Sequence, residues 1–180
     1  MSLLERLVGL LARLAAAFGA VATVACLAMV GYAVAMRYVF GVPQPWIDKA
    51  AGWLVVALVM LAAPEAQRRF EHIGVDVAVS KLGPRLARAA HLLGTLSVAV
   101  VAAVLFMAGW EAVSFSRMVG LMTDIEGVPV WWIQMLLPIG AALLFIVAAC
   151  QALLLALGRE PAYLPRPGEE LPRDTLAKAE

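Results

Sequence analysis

The densest cluster of residues able to do chemistry is Glu65, Arg68, Arg69, Glu71, His72 and Asp76. A carboxylate at the edge of a long apolar run is the residue type of a proton or cation relay, because an ionised group at membrane depth is retained only where it is used or paired. Glu65 also stands three and four residues before Arg68 and Arg69, the spacing at which side chains meet on one helix face. Its place near the end of the run favours that intrahelical pairing over a relay. The two histidines, His72 and His91, raise axial ligation of a haem. His91 lies about one turn into an apolar run and His72 in the preceding loop, so neither is set deep between two spans, and interfacial hydrogen bonding is the expectation for both. No metal-ligand spacing of His, Cys and carboxylates accompanies them. Nucleophile elbow, phosphate loop and dinucleotide fingerprint are absent from the chain as well. These residues point away from catalysis and from a bound cofactor or metal.

The elements that must position them are four uncharged runs, at 14–36, 50–64, 89–110 and 127–158. Three of these reach the roughly 20 apolar residues a helix needs to cross about 30 Å of hydrocarbon. The second does so over 46–67, with Asp48, Lys49 and Glu65 near the interfaces, where charge is less costly. The expectation is an all-α integral membrane protein with spans at about 14–36, 46–67, 89–110 and 128–157.

Of the 14 Lys and Arg, three (Arg37, Lys49 and Arg117) fall on one side of that arrangement. On the other are Arg6, Arg13, Arg68, Arg69, Lys81, Arg85, Arg88, Arg159, Arg166, Arg173 and Lys178. Basic loops stay in the cytoplasm during insertion, so both termini and the central loop are expected inside. Trp46, Trp110, Trp131 and Trp132 are expected at the outer ends of helices two, three and four, with Trp53 two turns deeper, where indole favours the headgroup region.

With 63% hydrophobic and 15% charged residues, the chain has no stretch for a soluble domain. Residues 1–158 form the transmembrane domain in this reading, and 159–180, Pro-containing with scattered charge, a disordered cytoplasmic tail. A net charge of +1 leaves no basic patch for nucleic acid beyond the one insertion explains. Cys26 and Cys150 are expected about 8 Å apart in depth, too far for a disulfide. The first run is longer than a signal-peptide core and is retained. Before it, Ser2, Glu5, Arg6, Gly9 and Arg13 form a narrow polar stripe on a leucine-rich amphipathic helix, which lies along the interface or extends the first span. From His72 to Val77 polar and apolar residues alternate, and Gly83-Pro84 breaks the chain, so part of the central loop is expected flat on the membrane. No internal repeat is evident, and with it the inverted-repeat signature of a complete transporter is missing.

Ahead of the fourth span, Thr123 and Asp124 are candidate caps, Pro129 suits a first helical turn, and Trp131 and Trp132 are interface anchors. Pro138, inside the span, favours a site where neighbouring helices re-satisfy the freed carbonyl.

Arg37-Tyr38-Val39-Phe40 followed by Pro45-Trp46-Ile47-Asp48 resembles the loop leading into the second span of the small membrane subunit of tripartite ATP-independent periplasmic (TRAP) transporters, the DctQ-like family. Arg68-Arg69-Phe70-Glu71-His72-Ile73-Gly74-Val75-Asp76 resembles its arginine-rich motif. Gly127-Val128-Pro129-Val130-Trp131 with Leu137-Pro138-Ile139-Gly140 resembles the start of its fourth span. The likeness runs from about Arg37 to Leu157. It departs in carrying Lys49 where the family usually has a second acidic residue, and Pro64-Glu65 where small apolar residues are expected.

The resemblance implies a non-catalytic scaffold in a bacterial inner membrane, both termini inside. It would work with a large polytopic subunit that moves substrate and coupling sodium, and with a periplasmic substrate-binding protein that delivers an organic acid. On it, Arg37, Trp46, Asp48, Trp131, Trp132 and Pro138 become candidates for partner contact, and Arg68, Arg69, His72 and Asp76 for holding the inner loop. Two other classes stand beside it. One is a haem- or quinone-binding anchor of a respiratory enzyme, the other a small dimeric exporter with Glu65 as its functional carboxylate.

Overall fold

The computed structural model describes residues 3–70, 84–123, 125 and 127–158. Glu71, His72, Asp76, Asp124 and the 159–180 tail therefore lie outside the described residues, as does the interfacial segment expected between the second and third spans. Helix α1 runs over Leu3–Tyr38, α2 over Pro45–Arg68, α3 over Pro84–Val119, α4 over Val130–Gln134 and α5 over Leu136–Ala156. Among the described residues, four stretches are long and apolar enough to cross a membrane, α4 and α5 together forming the fourth. This is the expected all-α membrane fold.

The amphipathic stretch before the first span and the span itself are one helix of 36 residues, about 54 Å long. A leucine-rich sequence with no Pro or capping break gives the backbone no reason to stop at residue 14. The third helix is equally long and continues to Val119. The helix runs on past the residues expected to span: Trp110 sits within α3, nine residues before its end, because the backbone stays helical through Glu111 to Arg117 after the apolar run stops.

Pro45 opens α2 in its first turn, where a missing N–H is harmless, and Asp48 stands at the positive end of the helix dipole. The helix continues through Pro64 and ends at Arg69 and Phe70. Phe70 has φ +56°, a left-handed conformation that helix ends usually assign to glycine. Burial compensates here: its ring packs edge-to-face on His91 of α3 at 5.7 Å between centroids.

α1 packs on α2, α2 on α5, and α5 on α3, while α3 makes no extensive contact with α1 or α2 among the described residues. The helices thus stand in a row, α1–α2–α5–α3, and α1 also meets α5 where Val8 and Ala12 pack with Val147. The seams are made by small residues, which let helices approach where no water-driven force joins them. A Cβ on Gly140 would lie 2.5 Å from Met60 Cβ and 2.7 Å from the Met60 carbonyl oxygen, so α2 and α5 meet backbone to backbone. A Cβ on Gly109 of α3 would lie 3.0 Å from Pro138 Cδ. Pro138 is fully buried in that seam.

The break between α4 and α5 has a local cause. Pro138 has no N–H to return to the carbonyl of Gln134, and regular helix is interrupted at Met135.

Candidate functional site

Polar residues collect at the two ends of the row. At the end carrying the tryptophans, Arg37 Nη2 donates to Asp48 Oδ2 at 3.0 Å, closing the turn between α1 and α2. Both side chains are about half exposed, which limits the pair to about 1 kcal/mol or less. Trp46 Nε1 donates to Gln44 Oε1 at 3.1 Å. Some distance along the row, the Arg117 guanidinium lies 5.0 Å from the centroid of the Trp131 ring, which in turn meets Trp132 edge-to-face at 5.9 Å. Arg37, Asp48 and Trp46 thus form one group, and Arg117, Trp131 and Trp132 another. No ion pair, hydrogen bond or ring contact joins the two among the described residues.

The loop before the fourth span differs from its expected form. Pro129 is the residue before α4 rather than in its first turn, and no side chain caps that helix. Thr123 instead closes a tight hairpin. Its N–H and Oγ1 both donate to the Val128 carbonyl, at 3.0 and 2.8 Å, and Val130 N–H returns to the Leu121 carbonyl at 3.1 Å. A bridge between Met122 and Pro129 completes it. The hydroxyl satisfies the loop's own carbonyl in preference to a helix end. In α4, Gln134 Oε1 is buried and has no hydrogen-bond partner among the described residues.

At the basic end, Glu65 is buried and its carboxylate is filled by guanidinium groups. Arg68 Nε donates to Oε2 at 2.6 Å and Arg68 Nη2 to Oε1 at 2.5 Å, while Arg69 Nε reaches Oε1 at 2.7 Å. Pairing along the helix is the role the geometry assigns to Glu65.

One residue beyond, Gln67 Nε2 donates to Gln151 Oε1 at 2.8 Å, and Gln151 Nε2 donates to the carbonyls of Gln67 and Arg68, each at 3.1 Å. Neither glutamine was singled out from the sequence. The available signal was an amide inside an apolar run, which in a membrane helix usually finds a partner on a neighbour. Cys26 and Cys150 form no disulfide, and the Cys26 thiol donates to the Ala51 carbonyl at 3.6 Å.

The family of tripartite ATP-independent periplasmic transporters, DctQ component, matches residues 26–158. The chain belongs to the DctQ family. The match runs from the middle of α1 to the end of the fourth span and so takes in both polar ends of the row. It makes the chain a small permease component of a TRAP transporter and a multi-pass membrane protein. No curated protein matches the chain at a significant level. At the basic end of this DctQ protein, Glu65 with Arg68 and Arg69 holds the end of α2, and Gln67 with Gln151 ties it to α5.

Proposed function

We propose that this DctQ chain is a non-catalytic scaffold that braces the large subunit of its transporter during sodium-coupled uptake of an organic acid delivered by a periplasmic binding protein. The observation that carries the reading is the open row of helices. α1 and α3, at its two edges, present large apolar side chains such as Phe18, Leu27, Leu93 and Met107 outward, all more than 60% exposed. A row has two broad faces, and a helical partner can lie along one while lipid covers the other. Among the described residues, the buried polar groups at the basic end are committed to helix contacts, Glu65 to Arg68 and Arg69 and Gln67 to Gln151.

In this reading the basic end is cytoplasmic and the tryptophan end periplasmic, in a bacterial inner membrane. The basic excess at the start of α1 and the end of α2 supports that orientation. Arg37, Asp48, Trp46, Trp131 and Trp132 then face the side from which the binding protein arrives. Pro138, covered by its own chain, serves as a hinge of the fourth span. Sodium and substrate sites belong to the large subunit.

Affinity capture of the chain from native membranes in mild detergent tests this. A stoichiometric, much larger polytopic protein in the eluate is the expected result. Recovery of the chain alone, or with soluble redox subunits, contradicts it.

A further inference from the structure

Asp48 pairs with Arg37, and Glu65 with Arg68 and Arg69, whereas Glu111 of α3 has no hydrogen bond or ion pair among the described residues. The nearest basic residue along α3, Arg117, lies over the Trp131 ring instead. Glu111 is exposed, yet it stands inward of the outer rim. Gly109, two residues before it, packs on Pro138 inside the fourth span, and Arg117, six residues after it, is level with Trp131. At the rise of a helix this places Glu111 about 9 Å inward of the Arg117–Trp131 contact. Side chains lean toward the N-terminus of their helix, which for α3 is the opposite end of the span, so the carboxylate leans further inward.

α3 has two contrasting sides. Thr95, Ala102 and Ser116, at multiples of seven residues from Gly109, are buried on the side that meets α5. Val100, Val104, Met107, Glu111, Ser114 and Met118 follow one another at intervals of four and three residues and are all exposed. That interval keeps a stripe facing one neighbouring helix along its length. At the other edge of the row, α1 exposes Phe18, Val21, Val24 and Leu27 and has no charged residue between Arg13 and Arg37. Lipid tails satisfy the α1 stripe, but they leave a carboxylate unmet, and an acid at this depth is retained where a cation or a polar group meets it. Lipid ammonium groups sit in the headgroup layer, outward of an inward-leaning acid. A helix can present Lys, Arg or His at the depth of Glu111.

We propose that α3 is the edge along which the large transporter subunit lies, one of its transmembrane helices following the stripe and setting a cationic side chain against Glu111. This docking rests on the scaffold role proposed above and adds which helix docks and by which charge.

Photo-crosslinking in native membranes tests it, with p-benzoylphenylalanine in place of Met107 on α3 or of Leu27 on α1. The Met107 probe is expected to join the chain to the large subunit and the Leu27 probe is not. Glu111→Gln is expected to weaken retention of the large subunit in mild detergent about thirtyfold, the effect of removing one partner of a buried charge pair. Its own resistance to sodium dodecyl sulfate should be unchanged, because Glu111 makes no polar contact within the chain. Crosslinking from Leu27 and not from Met107 overturns the proposal and leaves the scaffold role standing. The proposal also fails if the Met107 probe joins only lipid or a second copy of the chain, or if E111Q retains the large subunit as the wild type does. Absence of the large subunit from the wild-type eluate overturns the scaffold role itself, and this docking with it.

Discussion

The side-chain amides of Gln67 and Gln151, 84 residues apart in sequence, meet at 2.8 Å in the buried seam between α2 and α5. Gln151 also donates to the carbonyls of Gln67 and Arg68 in the last turn of α2, where the helix leaves acceptors short of donors; the Gln67 carbonyl accepts from Phe70 N–H as well. One side chain thus caps α2 and locks its register against α5.

Gln151→Leu removes a buried partner of the Gln67 amide and the side-chain donor to the Gln67 and Arg68 carbonyls. Its unfolding free energy is expected to fall by about 1–3 kcal/mol. Q67L/Q151L is expected to lose less than the sum of the single variants, because removing both partners leaves fewer orphaned groups. Denaturation by sodium dodecyl sulfate, followed by tryptophan fluorescence, measures both.

The close approach at Gly140 makes a second expectation. Gly140→Ala places a methyl group 2.5 Å from Met60 Cβ and should destabilise by about 1–3 kcal/mol as α2 and α5 are forced apart. Gly94→Ala, in α3, meets nothing within 4 Å and should be neutral or slightly stabilising, since alanine is the better helix former. The same titration separates them.

Glu65→Gln removes a carboxylate paired with Arg68, whose side chain is 11% exposed. Breaking one side of a buried pair costs about 3–5 kcal/mol, so a large fall in thermal stability is expected. If the stability of E65Q equals that of the wild type while transport by the assembled complex is lost, the carboxylate has a role beyond pairing.

Asp48→Asn should shift stability by less than about 1 kcal/mol, because the Arg37–Asp48 pair is exposed on both sides. Loss of the large subunit from the D48N eluate, with folding intact, would identify this corner as a partner contact. Retention at the wild-type level would remove Asp48 from the candidates.

The sequence by itself determined that the chain is helical and membrane-spanning, and that Glu65 pairs with its own helix. Each of these is local: run length sets whether a helix crosses a bilayer, and residue spacing of three or four sets which side chains meet on it. The motifs around Arg37, Asp48, Arg68 and Trp131 likewise carried the family. Helix ends were less legible. Helix α3 passes Trp110 and continues to Val119 because polar residues can be helical beyond the apolar run, and Thr123 turned to its own loop instead of capping α4. Only the tertiary structure decided the order α1–α2–α5–α3 and the joining of Gln67 to Gln151 and Met60 to Gly140. Four apolar helices of similar composition can pack in several orders. The order is selected by where a glycine lets backbones touch and where an amide finds its partner, and both depend on residues far apart in the chain.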